Sequence, residues 1–526
     1  MSEAPILKDT VRSSGRDALQ KNIQAALALS EAIRSTLGPN GLDKLLIDDD
    51  GRTLVTNDGV TVLETAKVEH PVAKMMIGAS SVQDKIAKDG TTSTVILAGE
   101  MLRNAWQLIL QGIHPSTISR GYRNAEQFIL NNLSDISFHA NEDICETVIK
   151  TTLAGKGHSS MQEKVAQISL AATKIVFDEK NKLVDSEKIK LISQTGGRVE
   201  QSYVIQGLML PKKRISSDMK REVLDGKIIL LDGGLEQRSM SNDLKLNVNN
   251  LGVLDSFREK QRDLLLDQVD VLANNAVNVL ACREGIDDVV CNYLSEKGIQ
   301  AFRRVSKNDL NLLTKACNAE LVGSISNLKK KNLGGFTISK NVKLDGKDFW
   351  VLEGNGNAAT IVAKGSTVDV VSEVERCFDD ALGVSEQLLE GGLVLCGGGA
   401  SYVSLARKLR RYAETIPGRE QLAIEAYADA IEVIIRVLAE NAGIDPIASL
   451  LNVVANQTNT NSDNIGINLS SGKPDDMLKL GVIEPQSVVK QALIGATEVA
   501  ISILRIDDVL WAKHSGEITD LPEPQT

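Results

Sequence analysis

The chain has 526 residues, too many for one hydrophobic core, so roughly two to four domains are expected. Apolar residues make up 42% and charged residues 24%, the balance of an ordinary globular protein, which sets disorder aside. A formal net charge of −10 excludes the basic face that a nucleic-acid partner needs, and the one basic run, Lys329-Lys330-Lys331, reads as a solvated loop.

No stretch reaches the ~20 uncharged apolar residues of a membrane span, and the first residues, MSEAPILKDT, hold no apolar signal core. A cytoplasmic chain with no membrane partner is therefore expected. The cysteines at 145, 282, 291, 317, 377 and 396 form no CxxC pair, and the five histidines show no HExxH spacing. Neither disulfides nor a Cys/His metal centre is expected.

In chain order, a helical pattern over 17–36 runs into the turn Leu37-Gly38-Pro39-Asn40-Gly41. Two short apolar strands, 45–47 and 53–56, flank Asp50-Gly51 and predict a hairpin. Asn57-Asp58-Gly59 makes a second turn, and Asp89-Gly90-Thr91-Thr92-Ser93 opens a helix over 91–111. The middle changes character: strands are predicted at 189–193, 203–208 and 227–231. Segments 278–281, 287–295 and 299–302 then read as strand, helix and parallel strand, with a helix at 307–317. Helices return over 401–415, 419–440 and 488–503. Helical ends around an α/β centre predict a discontinuous outer domain with a mixed domain inserted into it.

The turns carry the chemistry. A helix opening on Asp89-Gly90-Thr91-Thr92-Ser93 offers N-terminal amides for phosphate, hydroxyls beside them and a carboxylate for Mg²⁺. Cys396-Gly397-Gly398-Gly399-Ala400, between an apolar strand and a helix, offers a close backbone approach to a phosphate or sugar. Neither GxGxxG nor GxxxxGK[ST] is present, so the nucleotide site belongs to neither familiar class. Each turn by itself is equally a helix stop or an N-cap.

Together the segments are more specific. LGPNGLDK (37–44), NDGVTVL (57–63), DGTTSTVILAGEML (89–102), TLAGKG (152–157), DDAL (379–382), CGGGA (396–400), LAENAGIDP (438–446) and GVIEPQSVVKQALIGATEVAISILRIDDVL (481–510) resemble, in the same order, the signature blocks of group II chaperonins. The likeness covers nearly the whole chain and is nearer to archaeal thermosome subunits than to the eukaryotic cytosolic complex.

That resemblance implies a multidomain α and α/β chaperonin fold. It would have a helical equatorial ATP-binding domain (1–141 and 396–526), a hinge-like intermediate domain (142–209 and 358–395) and an α/β apical domain (210–357) with a helical protrusion near 245–272. The implied function is an ATP-dependent folding chaperone, a double-ring subunit that encapsulates unfolded proteins and closes a built-in lid on ATP hydrolysis. Its partners would be unfolded clients and identical or paralogous subunits, and its cofactors ATP and Mg²⁺. Leu37, Gly38, Pro39 and Gly41 would line the phosphates, the turn offering them backbone amides. Asp89 would ligate Mg²⁺, with Gly90, Thr91, Thr92 and Ser93 around the β- and γ-phosphates. Asp58 matches a carboxylate near the γ-phosphate, Lys156 a γ-phosphate sensor, and Asp380 the residue that orients the attacking water from the hinge domain. Gly397 and Gly398 would sit against the ribose and Glu484 would accept its hydroxyls. Leu251, Val253, Leu254 and Phe257 fall in the segment like the lid protrusion, where they would hold clients or pack protrusions together; the plain alternative is one buried helix face.

The chain also departs from the family. Lys88 stands where glycine usually precedes the Mg²⁺ aspartate, and it is strained there if φ is positive. Its charge would also act on Asp89. Asn40 replaces a common basic residue, Asp379 a frequent histidine, and the Gly/Met-rich tail gives way to PEPQT. Two other readings follow: an ATP-binding structural ring subunit with weakened hydrolysis, acting within a hetero-oligomer, and a metabolic kinase or small-molecule ATPase, for which no acceptor motif is seen.

Overall fold

The computed structural model describes residues 10–47, 51, 53–65, 68, 70–236 and 251–512. Contacts divide the chain into two compact units, Met1–Gly157 with Gly392–Thr526, and His158–Gly391.

The first unit is helical, as the periodicity at both ends predicts. Its central helix is Thr91–Leu110, whose consecutive residues Val95, Ile96, Leu97 and Ala98 are all at most 1% exposed, so it is covered on every side. Gly15–Arg34, Pro71–Ala87, Glu420–Ile431 and Gln486–Leu504 pack around it. Pro71, Pro115 and Pro446 each open a helix where an amide would be unsatisfied anyway, and the preceding His70, His114 and Asp445 accept first-turn N–H groups. Tyr122 donates to the Met101 carbonyl at 2.7 Å and meets Tyr427 edge-on, so the polar ends of buried aromatics are satisfied inside the core. The helix Gln486–Leu504 is long and apolar enough, by length and composition, to cross a bilayer. Here Val489, Leu493, Ala496 and Ala500 are fully buried in this core, which accounts for its apolarity.

Two small sheets tie distant parts of this unit together. Leu393–Cys396 is flanked by Phe138–His139 and Ile483–Pro485, all antiparallel, with Leu395 opposite Glu484. Thr10–Ser14 pairs antiparallel with Asp508–Ala512, a pairing of the two ends that periodicity does not announce. The expected hairpin forms between Lys44–Ile47 and Thr53–Thr56. The helix expected over 419–440 divides at Glu432, between Glu420–Ile431 and Val433–Asn441. No Gly or Pro stands at the break; Glu432 there accepts two hydrogen bonds from Arg410.

The second unit is built on a nine-stranded mixed sheet. Val277–Cys282, the helix Asp288–Glu296 and Gln300–Phe302 form the predicted strand–helix–strand, with Val279 to Ala281 parallel to Gln300 to Phe302. Phe302 stacks on Trp350 at 3.9 Å, and Trp350 Nε1 donates to Ser339 Oγ, which donates to Gln300 Oε1. A chain of hydrogen bonds thus runs through the apolar core without leaving a polar atom stranded.

The strand Tyr203–Leu210 changes partner midway. Tyr203 to Gln206 pair with Ala359–Gly365, while Gly207 to Leu210 pair with Lys347–Glu353. Gly207 sits at the switch with φ 137, and a β-carbon there would come within 2.0 Å of the Leu352 carbonyl. Thr360 bridges the switch, donating to Gly207 O and accepting from the Met209 amide. The expected intermediate–apical boundary at 209/210 falls beside this point, and the three-part division returns below as a proposal. Residues 142–157, expected with the hinge segment, group with the first unit. The reason is packing, since the helix Glu142–Thr152 lies on Ile483–Pro485.

Candidate functional site

Within the first unit, three of the sequence-predicted turns and the quoted segment 152–157 converge on one cavity of ≈ 100 Å³, lined by Thr36, Leu37, Gly38, the Asn57-Asp58-Gly59 turn, Asp89 to Ser93, Thr152, Ala154 and Lys156. That volume suits phosphate groups rather than a whole nucleotide, which needs a pocket of about 300 Å³ or more.

The helix Thr91–Leu110 opens into the cavity. Its N-cap is Gly90 in the left-handed region, and no side chain caps its first amides. A buried, uncapped N-terminus is left with free donors and a positive dipole end, the arrangement that binds phosphate. Local bonds fix the turn. Asp89 Oδ1 accepts from the Gly90 amide at 2.6 Å, and Gln83 Nε2 donates both to the Asp89 carbonyl and to the Val488 carbonyl. Gln83 therefore joins this turn to the start of the helix Gln486–Leu504, some 400 residues away in sequence.

Asp58 begins the short helix Gly59–Thr65, its Oδ2 accepting from the Thr61 amide and hydroxyl at 2.9 and 2.6 Å. Asn57 Nδ2 donates to the Gly155 carbonyl at 2.8 Å. Gly155 has φ 91, and a β-carbon there would lie 2.8 Å from the Gly38 carbonyl. Only glycine lets the loop carrying Lys156 close on the Leu37-Gly38 turn.

Charge in the site is unbalanced. Burial raises the Asp89 carboxyl and Asp58 raises it further, against Lys156, the Gly90 amide and Thr152, which lower it. Asp84 is also raised, first by burial, with Asp58 and Glu64 adding to it while Lys88 and Lys156 oppose. Asp58, Asp84 and Asp89 thus face Lys156, a set that repels a triphosphate unless a cation accompanies it. Among the described residues no three His, Cys, Asp or Glu side chains converge as a cage. Mg²⁺ commonly uses one or two carboxylates plus phosphate oxygens, so this donor set fits it. One orphan polar atom fits the same use: Asn57 Oδ1 is buried without a hydrogen-bond partner.

The second half of the expected site lies along Cys396–Gly398 and Glu484. The Gly397 amide donates to the Val482 carbonyl, and the Gly398 carbonyl accepts from Ile467, so this turn is held by protein on one side. Burial, with Asp89 second, pushes the Glu484 carboxyl up to about 8. That favours the protonated form, which donates as well as accepts. Burial and the carboxylates of Glu484 and Asp89 together raise the Tyr402 hydroxyl. The two halves of the site therefore share one electrostatic neighbourhood.

Several assignments change in detail. Pro39 has no N–H, and the Gly41 amide is committed to the Gly38 carbonyl at 2.9 Å. These two shape the turn and do not supply amides to a phosphate; neither lines the cavity. Lys88 does take the left-handed conformation, φ 58, where it ends the helix Pro71–Ala87. Its charge lowers Asp84, while the cation that lowers Asp89 is Lys156. Lys88→Gly is expected to raise the unfolding free energy by about 0.5–1 kcal/mol by removing this strain. A higher urea midpoint at unchanged slope would show it, and an unchanged midpoint would mean Lys88 is unstrained.

Asp380, half-buried, and Asp379, exposed, lie on the helix Val368–Leu389 of the other unit. Glu375, one turn earlier, is raised by burial and then by Asp379. Leu251, Val253, Leu254 and Phe257 fall in the opening turns of the helix Leu251–Asn274. Their side chains, and residues 245–250 of the expected protrusion, lie outside the described residues. Asn57, Thr152 and Ala154 carry no role in the sequence reading, although all three lie within the quoted blocks. Nothing in local pattern distinguishes a threonine that ends a helix from one that lines a site.

A sequence profile of the TCP-1/cpn60 chaperonin family matches residues 29–514. A thermosome subunit of Methanocaldococcus jannaschii is 40% identical over 521 residues, 98% of this chain and 96% of the relative. One of Pyrococcus horikoshii is 41% identical, covering 97% of this chain and 94% of the relative. The thermosome beta subunit of Thermoplasma acidophilum is 42% identical, covering 97% and 95%.

Proposed function

The chain belongs to the TCP-1/cpn60 chaperonin family, and from that premise we propose how this group II chaperonin subunit works as an ATP-dependent folding chaperone in a double ring. The observation that carries the nucleotide part is the uncapped, buried start of the helix Thr91–Leu110, opening on a cavity edged by Asp58, Asp89 and Lys156. The Thr91, Thr92 and Ser93 amides hold phosphate oxygens. Asp89 ligates Mg²⁺, which when bound offsets the carboxylates and polarises the terminal phosphate. Lys156, fixed against the Leu37-Gly38 turn through Gly155, faces the charge that builds on the γ-phosphate. Gly398 and Glu484 take the ribose side.

In this reading His158–Gly391 comprises the apical domain and most of the intermediate domain, and Asp380 reaches the nucleotide when the intermediate domain closes. Placing the water-orienting carboxylate on a moving part makes hydrolysis report closure. Lys156 groups with the unit that holds the nucleotide turns. The helix Leu251–Asn274 belongs to the lid protrusion, and clients are held by apolar surface around it. Leu254→Glu with Phe257→Glu should impair client encapsulation while basal ATPase persists; equal loss of both would point to misfolding instead.

The weakened-hydrolysis reading rests on Lys88 and Asn40. Since the charge of Lys88 acts on Asp84, it leaves the metal carboxylate to Lys156. Single-turnover ATP hydrolysis by purified particles tests the proposal. Hydrolysis that depends on Mg²⁺ supports it; rings that bind ATP and leave it intact would favour a structural subunit. Electron microscopy showing a monomer or dimer would overturn the ring reading.

A further inference from the structure

We propose that Thr152 is a positioning residue for the metal-binding carboxylate, its hydroxyl donating to Asp89 and fixing the direction of the oxygen that meets the cation. The inference rests on the assignment of Asp89 above and adds a residue to it.

Three observations carry it. Thr152 is only 7% exposed and lines the cavity, yet its Oγ1 has no hydrogen-bond partner of normal geometry. A buried hydroxyl left unsatisfied costs about 1–3 kcal/mol, so such groups are rare without a use. The second is a contrast inside one helix. Thr147 and Thr151 of the helix Glu142–Thr152 both donate back to the carbonyl four residues earlier, at 3.2 and 3.1 Å. That local bond is the ordinary fate of a helical threonine hydroxyl. Thr152 does not make it, which leaves its proton for the cavity. Third, among the described residues the Asp89 carboxylate accepts one hydrogen bond of normal geometry, from the Gly90 amide to Oδ1 at 2.6 Å. The Thr152 hydroxyl lies near enough to lower this carboxyl.

A carboxylate pinned at one oxygen still swings about its χ2 bond. A second donor from the opposite wall stops that motion and leaves a lone pair aimed at the cation. Such outer partners typically account for about 10- to 100-fold in metal affinity.

The test uses the full chain with Mn²⁺ and ADP, Mn²⁺ binding being read by electron paramagnetic resonance. ADP affinity in excess chelator is measured alongside by calorimetry. Thr152→Val keeps the shape and removes the hydroxyl, and Thr152→Ala removes both. Each should weaken Mn²⁺ binding in the presence of ADP by about 10- to 100-fold while metal-free ADP affinity is unchanged. Thr152→Ser should restore it. Wild-type Mn²⁺ affinity in both variants would overturn the proposal, as would equal loss of metal-free ADP affinity, which is the mark of a packing role. Asp89→Asn tests the premise separately. If it leaves Mn²⁺ binding intact, the metal assignment itself fails; if it removes binding while the Thr152 variants retain it, only Thr152 loses its role.

Discussion

Asp89→Ala should abolish Mg²⁺-dependent ATP hydrolysis, by about 1,000-fold or more, because a bound metal contributes several kcal/mol at the reacting phosphate. Asp89 has no substitute among its neighbours. Asp58 is committed through Oδ2 to the Thr61 amide and hydroxyl, and Asp84 shares its surroundings with both Lys88 and Lys156. Asp380→Ala should behave differently. It should leave nucleotide affinity near wild type and slow turnover by roughly 100- to 10,000-fold, the range for removing a group that positions or activates water. Equilibrium binding and single-turnover hydrolysis on the same two variants separate the roles. If Asp380→Ala removes affinity and leaves the remaining chemistry normal, Asp380 is a binding residue and its assigned role is wrong.

Arg410→Ala should cost the chain about 3 kcal/mol or more in stability, the largest single effect expected away from the nucleotide. Arg410 grips Glu432 with two bonds of 2.6 and 2.7 Å and also reaches Asp429 at 2.7 Å. The Glu432 side chain is only 6% exposed, while Arg410 is about one-third exposed. Removing the arginine therefore strands a buried carboxylate, and water reaches only the arginine's side of the gap. That places the expectation at the low end of the 3–5 kcal/mol typical of broken buried pairs. Arg410→Met with Glu432→Leu should recover most of the loss, since no charge is then left unpaired. Urea unfolding of wild type, Arg410→Met, Glu432→Leu and the double variant completes the double-mutant cycle. A loss under about 1 kcal/mol for Arg410→Ala would mean the pair is effectively solvated.

Both predictions concern groups whose residue types were legible and whose partners were not. Asp89 stood out because an aspartate before Gly-Thr-Thr at a helix start suits phosphate and metal. Glu432 did not stand out, because in sequence it is one more acid in a long helical pattern. Its partner Arg410 comes from the preceding helix, Ala400–Ala413, a pairing that no local pattern announces. The Gly41 amide likewise looked available to a phosphate, until the turn closed it on Gly38 O.

The helical ends, the parallel strand–helix–strand of the second unit and the turns that meet at the cavity were set by local pattern. Apolar period, glycine and capping chemistry act within a few residues, so they can be read along the chain. What tertiary structure alone decided is which charge acts on which: Lys156 on Asp89, and burial on Glu484. It also decided which of three threonines in one helix keeps its hydroxyl for the site. Those outcomes depend on separations of a few ångströms between atoms far apart in sequence, and on the water excluded between them, which no linear spacing encodes.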